Sequence, residues 1–453
     1  MRDIRGSVVL RIITDMSTTQ KDMAVIGSGV SGLGAAWALS QHHNVTLIER
    51  DDRLGGHART IDVAMGSQLV PVDTGFIVFN HRNYPNLTNL LATLDVASEA
   101  TDMSFSVKSD RYEFAATPRA LISDPRHLTS RRTWAIVRGI NRFRKEVATH
   151  ESTSTTDSTL IDYLRDARYP EPFITDYLLP LAAAVWSGAG TDAASMPVGT
   201  FLHFLANHGL FELERPRWRT ISRGSREYVD RISKEITTTR SGVDVTAIQR
   251  VDAGVEVETR DERLRFDEVV IATHAPQAME LLADDLAADE TEILGAFRYA
   301  PNRAVVHRDP TFMPRRKAAW SAWNAVGTPP GSEQPVTVTY WMNRLQNLDD
   351  RHDVFITLNP EREPSQIIDD VWYAHPQFSP DTDRAQQRLP EIQGRGGVWY
   401  AGAWTGYGFH EDGLQSGLTV AASLGSPAPW HNDIVPASPA AIHSAPDTAR
   451  DHT

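Results

Sequence analysis

The chain contains no cysteine. That excludes disulfides, thiolate nucleophiles, cysteine-ligated zinc, iron–sulfur clusters and any cysteinyl link to a cofactor. Basic charge is also short: 45 Lys and Arg face 58 Asp and Glu, for a net charge of −13. A broad nucleic-acid surface needs a basic footprint, so no nucleic-acid partner is expected. Long apolar runs are missing too. The best, "YLLPLAAAVW" (177–186), has the length of a buried core helix and carries a proline, so no transmembrane segment is expected. The opening "MRDIRGSVVLRIITD" is a poor signal peptide; Met16 begins a natural lead-in, "MSTTQKDMAVIG", and residues 1–15 read as an over-called start. The default location is the cytoplasm, with peripheral membrane contact left open. Neither a metal-ligand set nor an oligomeric state can be read.

What is present is ordinary for a soluble protein: 41% apolar and 23% charged residues over 453 positions, enough for two domains. The most informative segment is "DMAVIGSGVSGLGAAWALSQHHNVTLIERD" (22–51). Met23–Ile26 reads as a buried strand, Gly27, Gly29 and Gly32 form GxGxxG, a small-residue helix runs to Ser40, and Val45–Ile48 is a second strand ending at Glu49. Gly27 permits the tight turn, Gly29 lets backbone approach a pyrophosphate, and Gly32 allows close helix–strand packing. Val30 and Ser31 open the helix, whose free N–H groups and dipole meet the phosphates. Glu49, 17 residues after the third glycine, is placed to accept from an adenosine ribose. Whether the dinucleotide is NAD or FAD stays open on these residues alone.

Further along, Leu87, Leu90, Leu91 and Leu94 share one helical face, and residues 115–235 read as mainly helical with a polar break at 149–159. "RRTWAIVRGINRFRK" (131–145) is a basic amphipathic helix, either a solvated face or a contact for anionic lipid. His203 and His208 are five apart, wrong for a helical metal pair. Residues 241–278 alternate Val243 with Val245 and Val255 with Val257, as small strands in a meander. Val336, Val338, Tyr340 and Met342 alternate with Thr337, Thr339 and Trp341 as a half-buried strand, with 353–359 as its partner. The tail from Ser426 is Pro-, Ala- and Ser-rich and is expected to be disordered. There is no second GxGxxG of the kind a flavin reductase uses for NAD(P)H.

Three segments carry a family resemblance: "ERDDRLGGHARTIDV" (49–63), "LVPVDTGFIVFN" (69–80) and "YAGAWTGYGFHEDGLQSG" (400–417). Together they resemble the flavin-containing amine oxidase superfamily, and most closely a bacterial amine-oxidase-like NAD/FAD-binding branch, over roughly residues 22–425. The resemblance implies an α/β fold with a Rossmann-type FAD-binding domain, discontinuous in sequence (20–85, 236–280, 393–425), and a second α+β substrate domain (86–235, 281–392). Residues 1–19 and 426–453 would be disordered tails.

The resemblance also implies FAD as cofactor. The adenosine end would involve Glu49, Arg50 and the backbone near Val245; the pyrophosphate turn Gly55, Gly56, His57 and Arg59; and the isoalloxazine Thr74, Gly75, Phe76 and Gly402. His57 stands where the family's Gly-Gly-Arg turn has arginine. Asp412, Gly413 and Leu414 would open a helix whose N-terminal amides meet the pyrimidine ring, favouring negative charge there by ~0.3–2 kcal/mol. Trp404, Tyr407, Phe409 and His410 would surround the reacting carbon, with His410 either a proton-transfer group or a hydrogen-bonding one. Lys317 is either the flavin-proximal lysine of some amine oxidases or part of a surface basic cluster with Arg315 and Arg316.

The resemblance implies an FAD-dependent oxidoreductase taking a hydride from an organic substrate onto flavin N5. The acid-poor aromatic wall 404–410 suits an apolar fatty-acyl or lipid substrate. Amine oxidation is the alternative, then redox-neutral isomerisation of unsaturated acyl chains, and from a different class a non-catalytic escort protein on the same scaffold.

Overall fold

The computed structural model describes residues 20–108, 112–115, 125–149, 158–186, 194–196, 198–199, 201–202, 205, 216–326 and 336–431. Two sheets organise them. The first is parallel, built from β1 (Asp22–Ile26), β2 (Asn44–Ile48), β3 (Thr238–Arg240), β4 (Glu268–Ile271) and β5 (Val398–Tyr400) in the order β3-β2-β1-β4-β5. β1 and β4 read as near-continuous apolar runs because layers cover both faces of the sheet. Helix α1 (Val30–Leu39) follows β1, and the last helix, α2 (His410–Ser423), packs against it.

Small residues make that contact possible. A Cβ on Gly417 would overlap the Ser31 carbonyl, and one on Gly32 would overlap the Gly27 carbonyl, so backbone meets backbone at both places. Every residue of α1 is buried. The same core takes in the helices Pro85–Thr93 and Arg226–Glu235 through Leu87, Leu90, Leu91, Tyr228 and Ile232. Both were expected in the second domain; their apolar faces pack against α1 and α2 in the core beside the first sheet. Its opposite face carries the expected meander, Val245–Val251, Gly254–Thr259 and Arg263–Phe266, together with Ile293, Leu294 and Phe297.

The second sheet has seven strands: Ile367–Gln377, Arg298–His307, Phe355–Leu358, Val338–Trp341, Trp323–Val326, Phe105–Lys108 and Glu113–Ala115, in that spatial order. Phe355–Leu358 pairs antiparallel with Val338–Trp341, the expected partnership. The expectation of a half-buried strand needs correcting. Thr337, Thr339 and Trp341 are as buried as Val336 and Val338. Their polar face reads as solvent-facing but closes on a hydrogen-bonded ladder. Thr339 Oγ1 lies 2.9 Å from Thr357 Oγ1, which lies 2.7 Å from His307 Nε2, and Ser106 Oγ donates to Asn324 Oδ1 at 2.7 Å. Left unpaired, each such group would cost ~1–3 kcal/mol.

Helices cover this sheet. Arg131–Thr149 and Leu160–Asp166 pack with a long segment in which the π-helical turn Ile174–Leu178 precedes Leu179–Trp186. Pro180, near the junction, has no N–H to give the helix ladder. The tail expectation fails at its start. Ser426, Ala428 and Trp430 are buried; the Trp430 ring stacks on Trp37 at 5.6 Å, and its Nε1–H donates to Asn86 Oδ1 at 3.0 Å. One aromatic anchor, masked by a Pro/Ala/Ser-rich setting, outweighs the composition. Residues 1–19 and 432–453, and the pair His203 and His208, lie outside the described residues.

Candidate active site

The turn after β1 sets up a dinucleotide cradle. Gly27 has φ +97°, a conformation open to glycine, and its N–H donates to Ile48 O at 2.8 Å. Gly29 shows the opposite need: a Cβ there would meet nothing within 4 Å, so the backbone faces open space. Gly56, at φ +56°, would place a Cβ 3.0 Å from the Gly29 Cα, while the Gly55 N–H donates to Ser28 O at 3.1 Å. The two glycine turns therefore close on one another, backbone against backbone, beside open space at Gly29. The free amides at the start of α1 complete a cradle of the kind that receives a pyrophosphate.

The adenosine end lies at Glu49. Its Oε2 accepts from Ser28 N at 2.8 Å and Ser28 Oγ at 2.5 Å, and its Oε1 accepts from Asp51 N at 2.9 Å. The Glu49 carbonyl accepts from Val243 N at 2.9 Å, which brings the strand begun by Val245 alongside. The Arg50 side chain points to solvent, 3.9 Å from Asp51.

Arg59 lies elsewhere. Its guanidinium grips Asp369 with Nη1 at 2.5 Å and Nη2 at 3.1 Å, and Nη1 also donates to Thr74 Oγ1 at 3.2 Å. It ties the glycine turn to the edge strand Ile367–Gln377. Residues 57–59 and 74–76 run side by side: Thr74 N donates to Arg59 O at 2.8 Å and Phe76 N to His57 O at 2.9 Å. Asp73, just before, is a buried hub. It accepts from Thr60 Oγ1 at 2.6 Å, from Ser225 N and Oγ at 2.8 Å each, and from Gln346 Nε2 at 2.9 Å. Burial raises its pKa to about 6, against the pull of these donors.

A cavity of about 370 Å³ runs from this cradle into the second sheet. At the cradle end it is bordered by Gly29, Val30, Ser31, Thr74, Gly75, Phe76 and Gly402. Trp404, Tyr407, Phe409 and His410 join them, so the four residues expected near the reacting carbon line one cavity. The Trp404 Nε1–H donates to Thr273 O at 3.1 Å, and a Cβ on Gly402 would overlap that indole. Gly402 is needed for Trp404 to sit there as much as for any ligand.

His410 stacks on Phe76 at 3.8 Å and 7°, and its Nε2 lies 2.8 Å from Tyr228 Oη. Burial lowers its pKa to about 3 and raises that of Tyr228 well above the usual phenol value. Tyr228 keeps its proton, and the two side chains share one hydrogen bond whose direction follows the His410 tautomer. Sequence reasoning missed Tyr228, since only the fold brings a residue 182 positions away against His410.

The start of α2 differs in detail from the expectation. Gly413 N donates to Phe409 O at 3.1 Å, so the orphan amides belong to the turn 410–412. The Asp412 carboxylate accepts from Phe409 N at 2.9 Å as a cap, and burial lifts its pKa to about 7. Leu414 is core, and a Cβ on Gly413 would press on Val30 Cγ1 at 2.8 Å. Glu411 caps a different helix: it accepts from Asn86 N, Asn86 Nδ2 and Leu87 N at 2.7, 2.9 and 3.0 Å. Burial outweighs those donors and lifts its pKa to about 7.

His57, His274 and His375 form another wall, with ring centroids of His57 5.5 Å from His375 and 6.3 Å from His274. Burial keeps all three neutral, with His274 and His375 at about 4 and His57 well below its usual value. His57 Nε2 is buried with no hydrogen-bond partner among the described residues, and is placed to meet a ligand atom. His274 is visible in "ATHAP", but nothing marks His375 beforehand. Beyond them the lining is apolar and aromatic: Met103, Phe105, Leu181, Trp218, Trp323, Tyr340 and Phe378. Among the described lining residues there is no Asp, Glu, Lys or Arg. Lys317 is not among them; its Nζ lies 5.0 Å over the Trp320 ring.

Comparison with known proteins agrees with this geometry. The family model for flavin containing amine oxidoreductases matches residues 30–424. Polyamine oxidase 5 of Oryza sativa subsp. japonica is 42% identical over 71 residues, which span 16% of this chain and only 14% of that protein. Among solved structures, a CLA-producing fatty acid isomerase from P. acnes superposes with a TM-score of 0.64 at 16% identity, covering 89% of this chain and 97% of that one. Cyclohexylamine oxidase from Brevibacterium oxydans IH-35A gives 0.64 at 15%, covering 89% and 98%. A putrescine oxidase mutant gives 0.65 at 13%, again covering 89% and 98%. These three share the fold. The backbone cradle, the Glu49 end and the orphaned His57 nitrogen fit the family's flavin. The chain belongs to the flavin-containing amine oxidoreductase family and is an FAD-dependent oxidoreductase.

Proposed function

We propose that this oxidoreductase acts on an uncharged, apolar segment of its substrate, an acyl chain in preference to an amine. The supporting observation is the wall of the cavity, which offers rings and aliphatic groups and, among the described residues, no side chain of fixed charge. Bringing an ammonium there would cost several kcal/mol without a carboxylate partner, whereas each buried methylene gains ~0.8 kcal/mol. FAD, when bound, supplies a two-electron acceptor at N5.

This chain's residues do the rest. The backbone of 27–32 and 55–56 would hold the pyrophosphate, and Glu49 would hold the ribose. Trp404, Tyr407 and Phe76 exclude water from the reacting end, and the orphan amides of 410–412 favour negative charge beside them. His410 enters as a neutral hydrogen-bonding ring held by Tyr228.

The test is the visible spectrum of the FAD-loaded protein, recorded anaerobically. It is read before and after adding a bacterial phospholipid extract, and in parallel putrescine and cyclohexylamine. Bleaching by the lipid alone is the expected result. A shifted double bond in the recovered acyl chains without bleaching would keep the substrate class and make the reaction redox-neutral. Bleaching by the amines alone would refute the proposal.

A further inference from the structure

The helix Arg131–Thr149 buries one face and exposes side chains on the other. Its inner face sends Ile136, Phe143 and Val147 into the core of the helical layer, and Gly139 lies so close that a Cβ would overlap the Phe173 ring. The outward face exposes Arg131, Trp134, Arg138, Asn141, Arg142 and Lys145, one residue per turn or better along the helix. Between 131 and 145 there are six basic residues and no acidic one, in a chain whose net charge is −13.

Two large apolar side chains stand on this face. Leu128, on the short helix Pro125–Thr129, is 53% exposed and Trp134 47% exposed. They are neighbours, since the Trp134 Nε1–H donates to Leu128 O at 2.9 Å. The indole's one polar group is therefore satisfied inside the protein. The ring can enter an apolar phase without stranding a donor.

We propose that Leu128 and the outward face of helix Arg131–Thr149 seat this protein on an anionic lipid surface. The charge argues for that partner. An acidic protein is repelled by an anionic bilayer in most orientations, and this face carries the opposite charge. The shape argues likewise: a shallow apolar pair among cations matches the headgroup boundary, where Trp and Leu lodge among the acyl ends and Arg reaches the phosphates. Some of the cations serve the fold as well: Arg132 pairs with Asp176 at 2.6 Å, and Arg142 lies 4.2 Å over the Tyr169 ring. Arg131 and Arg138 lie on either side of Trp134 and carry the lipid contact.

The position makes functional sense. The core under this helix also contains Tyr177 and Leu181, and Leu181 borders the cavity. The docking helix and the cavity thus border the same helical core. No helix among the described residues is long and apolar enough to cross a membrane, so contact here would be shallow. The inference does not depend on which bond is oxidised.

The experiment is vesicle flotation of the FAD-loaded full chain, with pure phosphatidylcholine and with an equal mixture of phosphatidylcholine and phosphatidylglycerol, at low and at physiological salt. Binding is expected to the anionic vesicles only and to weaken with salt. R131E/R138E should reduce it at least about tenfold, given the contribution of each surface cation. L128S/W134S should reduce it at unchanged charge. R298E/R344E, the same charge change elsewhere, should leave it within about twofold. Far-UV circular dichroism and flavin content matching wild type confirm that each variant is folded. Equal binding to both vesicle types, equal loss in R298E/R344E, or wild-type binding by R131E/R138E would each overturn the proposal. So would a concentration-dependent dimer, without lipid, that R131E/R138E dissolves.

Discussion

Replacing His410 by asparagine should leave the rate of flavin reduction within about tenfold of wild type. Protonating His410 in the folded protein is uphill, because its pKa falls from 6.5 to about 3 through burial. That difference is worth roughly 5 kcal/mol, and at pH 7 only about one molecule in ten thousand carries the imidazolium. A group so hard to protonate makes a poor proton acceptor, whereas a true general base typically contributes ~10²–10⁴-fold. The His410–Asn variant keeps a donor and an acceptor beside Tyr228 but loses the stack on Phe76, so a loss of ~1–3 kcal/mol in stability is expected. The linkage has a definite sign. The folded pKa of His410 lies below 6.5, so its contribution to stability is complete above pH 6.5 and declines as the pH falls toward 3. The stability gap between wild type and H410N should narrow over that window. The assays are anaerobic stopped-flow reduction by whichever substrate bleaches the flavin, and denaturant unfolding from pH 8 to pH 4. A rate loss beyond a hundredfold with normal flavin content would refute the argument and make His410 the acid or base. A titration step near pH 6.5 in the wild-type rate, absent in H410N, would do the same.

Two glycines should separate folding from cofactor binding. G29A has room for its methyl and should unfold within ~0.5 kcal/mol of wild type as apoprotein, yet retain little FAD on a desalting column; full retention would contradict the cradle. G417A drives a methyl into the Ser31 carbonyl and should cost ~3 kcal/mol or more, read as a fall in apoprotein melting temperature. W430A empties the site between Trp37 and Asn86 and should cost ~3–5 kcal/mol, whereas a dispensable tail would show no change. E411Q puts an amide where a carboxylate accepts three N–H bonds from residues 86 and 87, and should lower stability by ~1–3 kcal/mol in urea unfolding at pH 8.

The dinucleotide half of the molecule was legible because its rules are local. Strand, glycines, small-residue helix, strand and Glu49 follow one another within thirty residues, each fixed by backbone geometry at its own position. What escaped depends on contacts between distant segments. Thr337 and Thr339 read as solvent-facing because alternation reports polarity, and polarity equals exposure only when no partner is at hand; His307, Thr357 and Asn359 supply the partners from other strands. Asp73, which no motif singles out, serves as a hub joining residues 60, 225 and 346, which lie far apart in the chain. Arg59 similarly finds Asp369, 310 positions away. The substrate end is the extreme case, since its wall gathers residues from 103 to 378. The residues that hold the common cofactor obey short-range geometry that a motif can record. Those that choose the substrate meet only after the second sheet has closed, and no short window of sequence contains them.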